Sequence, residues 1–193
     1  MGAMKSIRVL CAAVAVLALA LSAAADTKAV NAGPYVPTPH AIADRMLTLA
    51  NLGSDDYLID LGSGDGRLVL AAVARYHARG AAGIEIDADL VRQASDDARN
   101  AGLGDRATFH AGDLFAADVS KATVVTLYLL PHIMRAVEEK LGKELKPGTR
   151  VVSHDYSLPT WKPLDTVTFD SDEKVHISGT RRTVLYLYRV PER

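Results

Sequence analysis

Seven residues, Asp60-Leu61-Gly62-Ser63-Gly64-Asp65-Gly66, constrain the fold of this chain more than any other stretch. A short apolar run, Tyr57 to Leu61, leads into glycines at alternate positions, and a longer amphipathic run follows at once. Runs of those two lengths read as a buried strand and a helix, so the turn joins β to α. Glycine lets the backbone bend tightly and approach a ligand closely, and the first turn of the helix offers N–H groups with no partner inside it. Such a turn receives a pyrophosphate or a carboxylate equally well. Asp60 and Asp65 surround it with two carboxylates. Fixed negative charge disfavours pyrophosphate and favours an ammonium group.

The rest of the chain repeats this alternation, which means βαβ units and a doubly wound, mostly parallel α/β sheet. The pattern predicts strands at Tyr57 to Leu61, Ala82 to Ile86, Thr108 to Ala111, Val124 to Tyr128 and Thr149 to His154. It predicts helices from His40 to Leu49, Gly66 to Arg79, Ala88 to Ala101 and Pro131 to Leu141. Two further β-rich runs, Thr166 to Phe169 and Thr183 to Tyr188, flank the polar stretch from Asp170 to Gly179. With no helix predicted between them, they should form a C-terminal antiparallel hairpin. A chain of 193 residues suits one such domain, here 35–193. A net charge of −1 with both signs interspersed offers no face for nucleic acid, and none is expected as partner.

Residues 1–25 differ from the remainder. Lys5 and Arg8 precede an apolar run from Val9 to Leu21, and Ala23-Ala24-Ala25 follow. This is the layout of a secretory signal peptide. The run is short and alanine-rich for a membrane span, so an uncleaved anchor at 5–25, with membrane association through that segment, is the alternative. Either use exports the domain, because the basic flank stays inside. A polar, turn-rich linker spans 26–34. The single cysteine, Cys11, lies in the leader, leaving no disulfide in the domain.

Three further features carry chemistry. Glu85 ends the second predicted strand, where an acid accepts both hydroxyl protons of a ribose, whereas Asp87 is better placed to cap the following helix. Gly112-Asp113-Leu114-Phe115 ends the third, offering Asp113 to an adenine amino group with Leu114 beside the ring. All of these acids fall at the carboxyl ends of strands, where open α/β sheets bind ligands. His110, His132 and His176 have no metal-ligand spacing, and no metal site is expected.

With these residues in place the sequence resembles class I S-adenosylmethionine-dependent methyltransferases, from about Tyr35 to Tyr188. The resemblance implies a seven-stranded, Rossmann-like methyltransferase sheet and S-adenosylmethionine as cofactor, held at Asp60, Gly62, Gly64, Glu85, Asp113 and Leu114. It narrows at Tyr35-Val36-Pro37-Thr38-Pro39, at Thr126-Leu127-Tyr128-Leu129-Leu130-Pro131 and at Leu145 to His154. These look like the protein-lysine methyltransferase family that includes the ATP synthase c-subunit and adenine nucleotide translocase methyltransferases and archaeal relatives. Lysine N-methylation of a protein substrate is implied. The Val-Pro-Thr-Pro segment would fold over the methionine end, with Thr38 as a hydrogen-bond donor.

At the acceptor side, Tyr128-Leu129-Leu130-Pro131 stands where methyltransferases of nucleobases and glutamine carry Asn/Asp-Pro-Pro-Tyr, which argues against a planar amide or base. Tyr128 is the candidate for orienting the amine, unless it is a packed strand aromatic. His154, Asp155 and Tyr156 are placed to line the acceptor channel or take up a proton, and Trp161 either edges the mouth or packs on the sheet. A small-molecule acceptor, or an exported protein that keeps the fold without turnover, are the alternatives. The second draws weight from a leader that carries the chain away from a cytoplasmic cofactor.

Overall fold

The computed structural model describes residues 34–192. The expected leader, and the linker apart from Pro34, lie outside the described residues. Among the described residues no helix is long and apolar enough to cross a membrane.

The elements in chain order are α1 (His40–Leu49), β1 (Tyr57–Leu61), α2 (Arg67–Ala74), β2 (Gly80–Glu85), α3 (Ala88–Asn100), β3 (Ala107–Ala111) and β4 (Val124–Leu127). A 3-10 turn, Pro131–Ile133, then leads into α4 (Met134–Glu144), β5 (Arg150–His154), β6 (Asp165–Asp170), α5 (Asp172–Ser178) and β7 (Arg182–Arg189). They form one seven-stranded sheet in the order β3-β2-β1-β4-β5-β7-β6. The first five strands pair in parallel, and β7 runs antiparallel between β5 and β6. The doubly wound sheet and antiparallel C-terminal pair expected from the alternation are both present.

Successive strand residues face opposite sides of the sheet, and each face builds its own core. Leu58, Val124 and Val152 join Met46, Leu47, Val69 and Val73 under α1 and α2. Ile59, Val125 and Val151 join Met134, Val137 and Leu141 of α4 on the other face. Trp161 belongs to this second core, set edge-on to Tyr188 at 6.5 Å, so of its two readings packing is the one realised. The strand order reverses between β1 and β4, which opens a crevice above their carboxyl ends.

Strand and helix ends shift by up to three residues at several elements, and two larger departures from the sequence pattern stand out. The second helix stops at Ala74 instead of reaching Arg79. His77 adopts φ +58 and the Ala78 N–H turns back to the Ala72 carbonyl, a left-handed stop made without glycine. The polar stretch after β6 contains a helix, α5, where none was predicted.

Candidate active site

β1 delivers Asp60 to the floor of the crevice, 3% exposed. Its Oδ1 accepts from the Thr126 hydroxyl of β4 at 2.7 Å, while Oδ2 is buried without a hydrogen-bond partner among the described residues. Burial pushes the carboxyl up to about 7, against the Thr126 hydrogen bond that lowers it, with the charges of Glu85 and Asp65 raising it further. Above the floor the loop takes left-handed turns at Gly62 (φ +78) and Gly64 (φ +54). Both positions are also crowded. A Cβ on Gly62 would stand 2.9 Å from the Leu129 side chain, and one on Gly64 would overlap the Tyr35 ring.

Glu85 stands at the end of β2 with its carboxylate already oriented. Oε2 accepts from the Gly64 N–H at 2.9 Å and Oε1 from the Asp87 N–H at 3.0 Å. A carboxylate offers about four lone-pair sites, so Glu85 keeps further acceptor capacity at the cavity it lines. Asp87 does cap α3, accepting from the N–H groups of Asp89 and Leu90. Asp113 lies between two residues that line the cavity, Gly112 and Leu114, and turns its Oδ1 to the Phe115 N–H at 2.8 Å.

Arg67, which the sequence pattern passed over, ties the site together. Its Nε and Nη2 hold the Asp65 carboxylate, and its Nη1 donates to the Thr38 carbonyl at 2.8 Å. Hydrogen bonds and charge from Arg67 outweigh burial and hold the Asp65 carboxyl below its ordinary range. The expectation that Asp65 adds free negative charge to the pocket is therefore corrected: a guanidinium offsets it, and the uncompensated acids facing the crevice are Asp60 and Glu85. An acid two residues before an arginine across the helix start was the available signal. Through Thr38, 5% exposed, the segment Tyr35–Pro39 is strapped across the glycine loop.

The result is a cavity of about 290 Å³ lined by this strap, the glycine loop, Glu85, Ile86 and Leu114 on one side and Tyr128, Leu129, Leu130 and Tyr156 on the other. Ile177 and Ser178 of α5 complete the second side, a contribution invisible to the sequence pattern. Tyr128 is half-buried and stacks on His154, centroids 4.0 Å apart and planes 29° apart. His154 is fully buried, neither ring nitrogen has a hydrogen-bond partner among the described residues, and burial pushes it down to about 4. The imidazole is thus neutral at pH 7. Burial, with the charges of Asp155 and Tyr156, pushes the Tyr128 phenol up to about 12. No cluster of three or more metal-ligating side chains occurs among the described residues.

These features fit a nucleoside linked to an amino acid. Glu85 presents acceptors for a ribose diol, Ile86 and Leu114 offer apolar plates for a base, and Asp60 with its unpartnered Oδ2 lies under the loop. Residues 60–165 match the ANTKMT methyltransferase domain family. The chain belongs to that family. It is therefore an S-adenosylmethionine-dependent methyltransferase, as the resemblance implied. It is 38% identical, over 82% of its own length and 94% of the relative's, to a protein-lysine N-methyltransferase of Saccharolobus islandicus. It is 37% identical to the mouse adenine nucleotide translocase lysine N-methyltransferase over 76% of this chain, spanning 65% of that protein's length. Among solved structures, an RNA methyltransferase from Salinibacter ruber bound to S-adenosyl-L-homocysteine is 46% identical with a TM-score of 0.73, covering 82% of this chain and 95% of that one.

Proposed function

We propose that this chain transfers the methyl group of S-adenosylmethionine to the Nζ of lysine side chains in a protein acceptor. The observation that carries the reading is the wall opposite Glu85. Tyr128, Leu129, Leu130 and Tyr156 form an aromatic and aliphatic sleeve, and Arg67, the one cation lining the cavity among the described residues, is spent on Asp65 and Thr38. Such a sleeve suits the methylenes of a lysine and offers no clamp for a planar amide or base. The two relatives named for protein-lysine methylation support the same class of acceptor.

S-adenosylmethionine, when bound, supplies an activated methyl group on a sulfonium. The work left to the chain is alignment, an effect worth about 7 to 11 kcal/mol in well-oriented systems. Glu85, Gly62, Gly64 and the Tyr35–Thr38 strap would hold the donor, with Asp60 beneath the loop and Asp113 and Leu114 at the far end. A lysine amine, ordinarily of pKa about 10.4, has to arrive neutral, and an apolar sleeve lowers that value by desolvation. Tyr128 keeps its proton at neutral pH, so its oxygen both donates and accepts and can orient the amine. The stacked, uncharged His154 fixes the plane of that phenol.

The test is to incubate the full chain and tritiated S-adenosylmethionine with cytochrome c and, separately, with total RNA. Label recovered as methyllysine after hydrolysis is the expected result. Label in nucleosides alone would instead support the activity for which the Salinibacter relative is named. Label in neither, with S-adenosylhomocysteine binding intact, would point to a small-molecule acceptor. The basic-then-apolar pattern of residues 1–25 adds export or anchoring to this proposal. Fractionation of cells expressing the full chain checks it, and recovery of the unprocessed chain wholly in the cytosol would refute it.

A further inference from the structure

α5 holds a charged group that the reading above does not use. Lys174 is 2% exposed, its Nζ 2.6 Å from Asp155 Oδ2 and 2.5 Å from the Arg182 carbonyl. An ammonium taken out of water costs several kcal/mol unless it is paired and hydrogen-bonded, so this geometry fixes α5 in place. Asp155 is itself anchored. It follows β5 directly in a left-handed conformation (φ +61), donates its N–H to the Val184 carbonyl at 2.7 Å and accepts the Val184 N–H at 3.2 Å. The pair thereby connects the end of β5, beside Tyr156, to a helix inserted between β6 and β7.

Residues three and four apart share a helix face. From Lys174 these are Ile177 and Ser178, the two residues of α5 that line the cavity, on the same side as Tyr128 and Tyr156. The position of the buried ammonium therefore sets the position of that wall. We infer that the Lys174–Asp155 pair is a clamp that seats Ile177 and Ser178 as the outer wall of the acceptor sleeve, so that α5 determines which amine reaches Tyr128. Lys174 and Asp155 are positioning residues, and Ile177 is the contact that discriminates. An unbranched alkylamine such as the lysine stem passes between Ile177 and the tyrosines. This inference rests on the lysine-methylation reading for the identity of the amine, and on the ion pair alone for the clamp.

The test uses the full chain, unaltered and in two variants. Asp155→Asn with Lys174→Met removes both charges, keeps the acceptor for the Val184 N–H and the length of the aliphatic stem, and avoids an unpaired buried charge. Asparagine also tolerates the left-handed backbone. Ile177→Ala leaves the clamp intact and removes the wall. For the double variant, amide hydrogen exchange across 172–179 should quicken at least about tenfold while α3 and β5 keep their protection. S-adenosylhomocysteine affinity should stay within about twofold by calorimetry, because Glu85 and the glycine loop lie on the other side of the cavity. With cytochrome c as acceptor, Ile177→Ala should raise KM at least about fivefold and change kcat less than about twofold. Unchanged exchange at 172–179, or a loss of S-adenosylhomocysteine affinity in the double variant, would overturn the clamp. If the unaltered chain methylates no lysine, the function proposed above fails, while exchange and calorimetry still decide the clamp.

Discussion

Charge is held differently on the two sides of this cavity. At the ends of β2 and β3, carboxylates are oriented by backbone N–H groups: Glu85 by Gly64 and Asp87, Asp113 by Phe115. On the side of β4, β5 and α5, contacts between side chains carry more of the work: Lys174 pairs with Asp155 across two elements, and His154 stacks on Tyr128 without a hydrogen bond among the described residues. Backbone donors at strand ends are dictated by the fold, so an acid that meets them, as Glu85 and Asp113 do, is pre-aimed. Side-chain pairs joining distant elements can change together, and the acceptor end is where a methyltransferase must differ from its neighbours.

The contrast can be broken by substitution. The largest effect is expected at Glu85→Ala, because hydrogen bonds to a charged group contribute about 1.5 to 3 kcal/mol. S-adenosylhomocysteine affinity should fall about ten- to hundredfold by calorimetry, and an unchanged value would remove Glu85 from the site. Next is Gly64→Ala, which meets both a left-handed backbone and the Tyr35 ring. Affinity should drop about tenfold, and Tyr35→Ala in the same chain should restore part of it if the ring is the obstacle. Tyr128→Phe should lower turnover about three- to tenfold with cofactor affinity unchanged. Equal loss of both would make Tyr128 part of the donor side.

The subtlest difference lies in pH dependence. Burial pushes His154 from 6.5 down to about 4. Between those values the unfolded chain takes up a proton that the folded chain refuses, so stability is lost as pH falls through that window. Burial pushes Asp60 from 3.8 up to about 7. There the folded chain keeps a proton that the unfolded chain has released, so stability is lost as pH rises through that window. Each contributes a slope of at most about 1.4 kcal/mol per pH unit. Urea unfolding from pH 4 to 7 should therefore tilt one way in His154→Phe and the opposite way in Asp60→Asn. Parallel curves would deny that the two sides bury their groups in opposite senses.

The same contrast explains what was legible. Asp60, Gly62, Gly64 and Glu85 lie at strand ends whose positions follow from hydrophobic patterning, and the structure brings them together with Thr38, Leu114 and Tyr128 around one cavity. α5 was not legible because its buried residue is Lys174, while Val175 is 39% exposed. A helix whose buried face carries an ammonium has no apolar period to detect. The end of α2 was missed for a related reason. His77 adopts the left-handed turn that glycine usually announces. Arg67 works through a carbonyl of the strap, and no side-chain pattern signals a backbone partner far along the chain.

That guanidinium has a consequence for timing. Because Arg67 fastens the Thr38 carbonyl and Asp65 at once, the strap and the glycine loop are held as one unit. A step common to arrival and departure changes both rates by the same factor and leaves the equilibrium affinity untouched. Loosening Arg67 is expected to shorten the residence of donor and product alike, an effect on timing from an arginine that need never touch the methyl group.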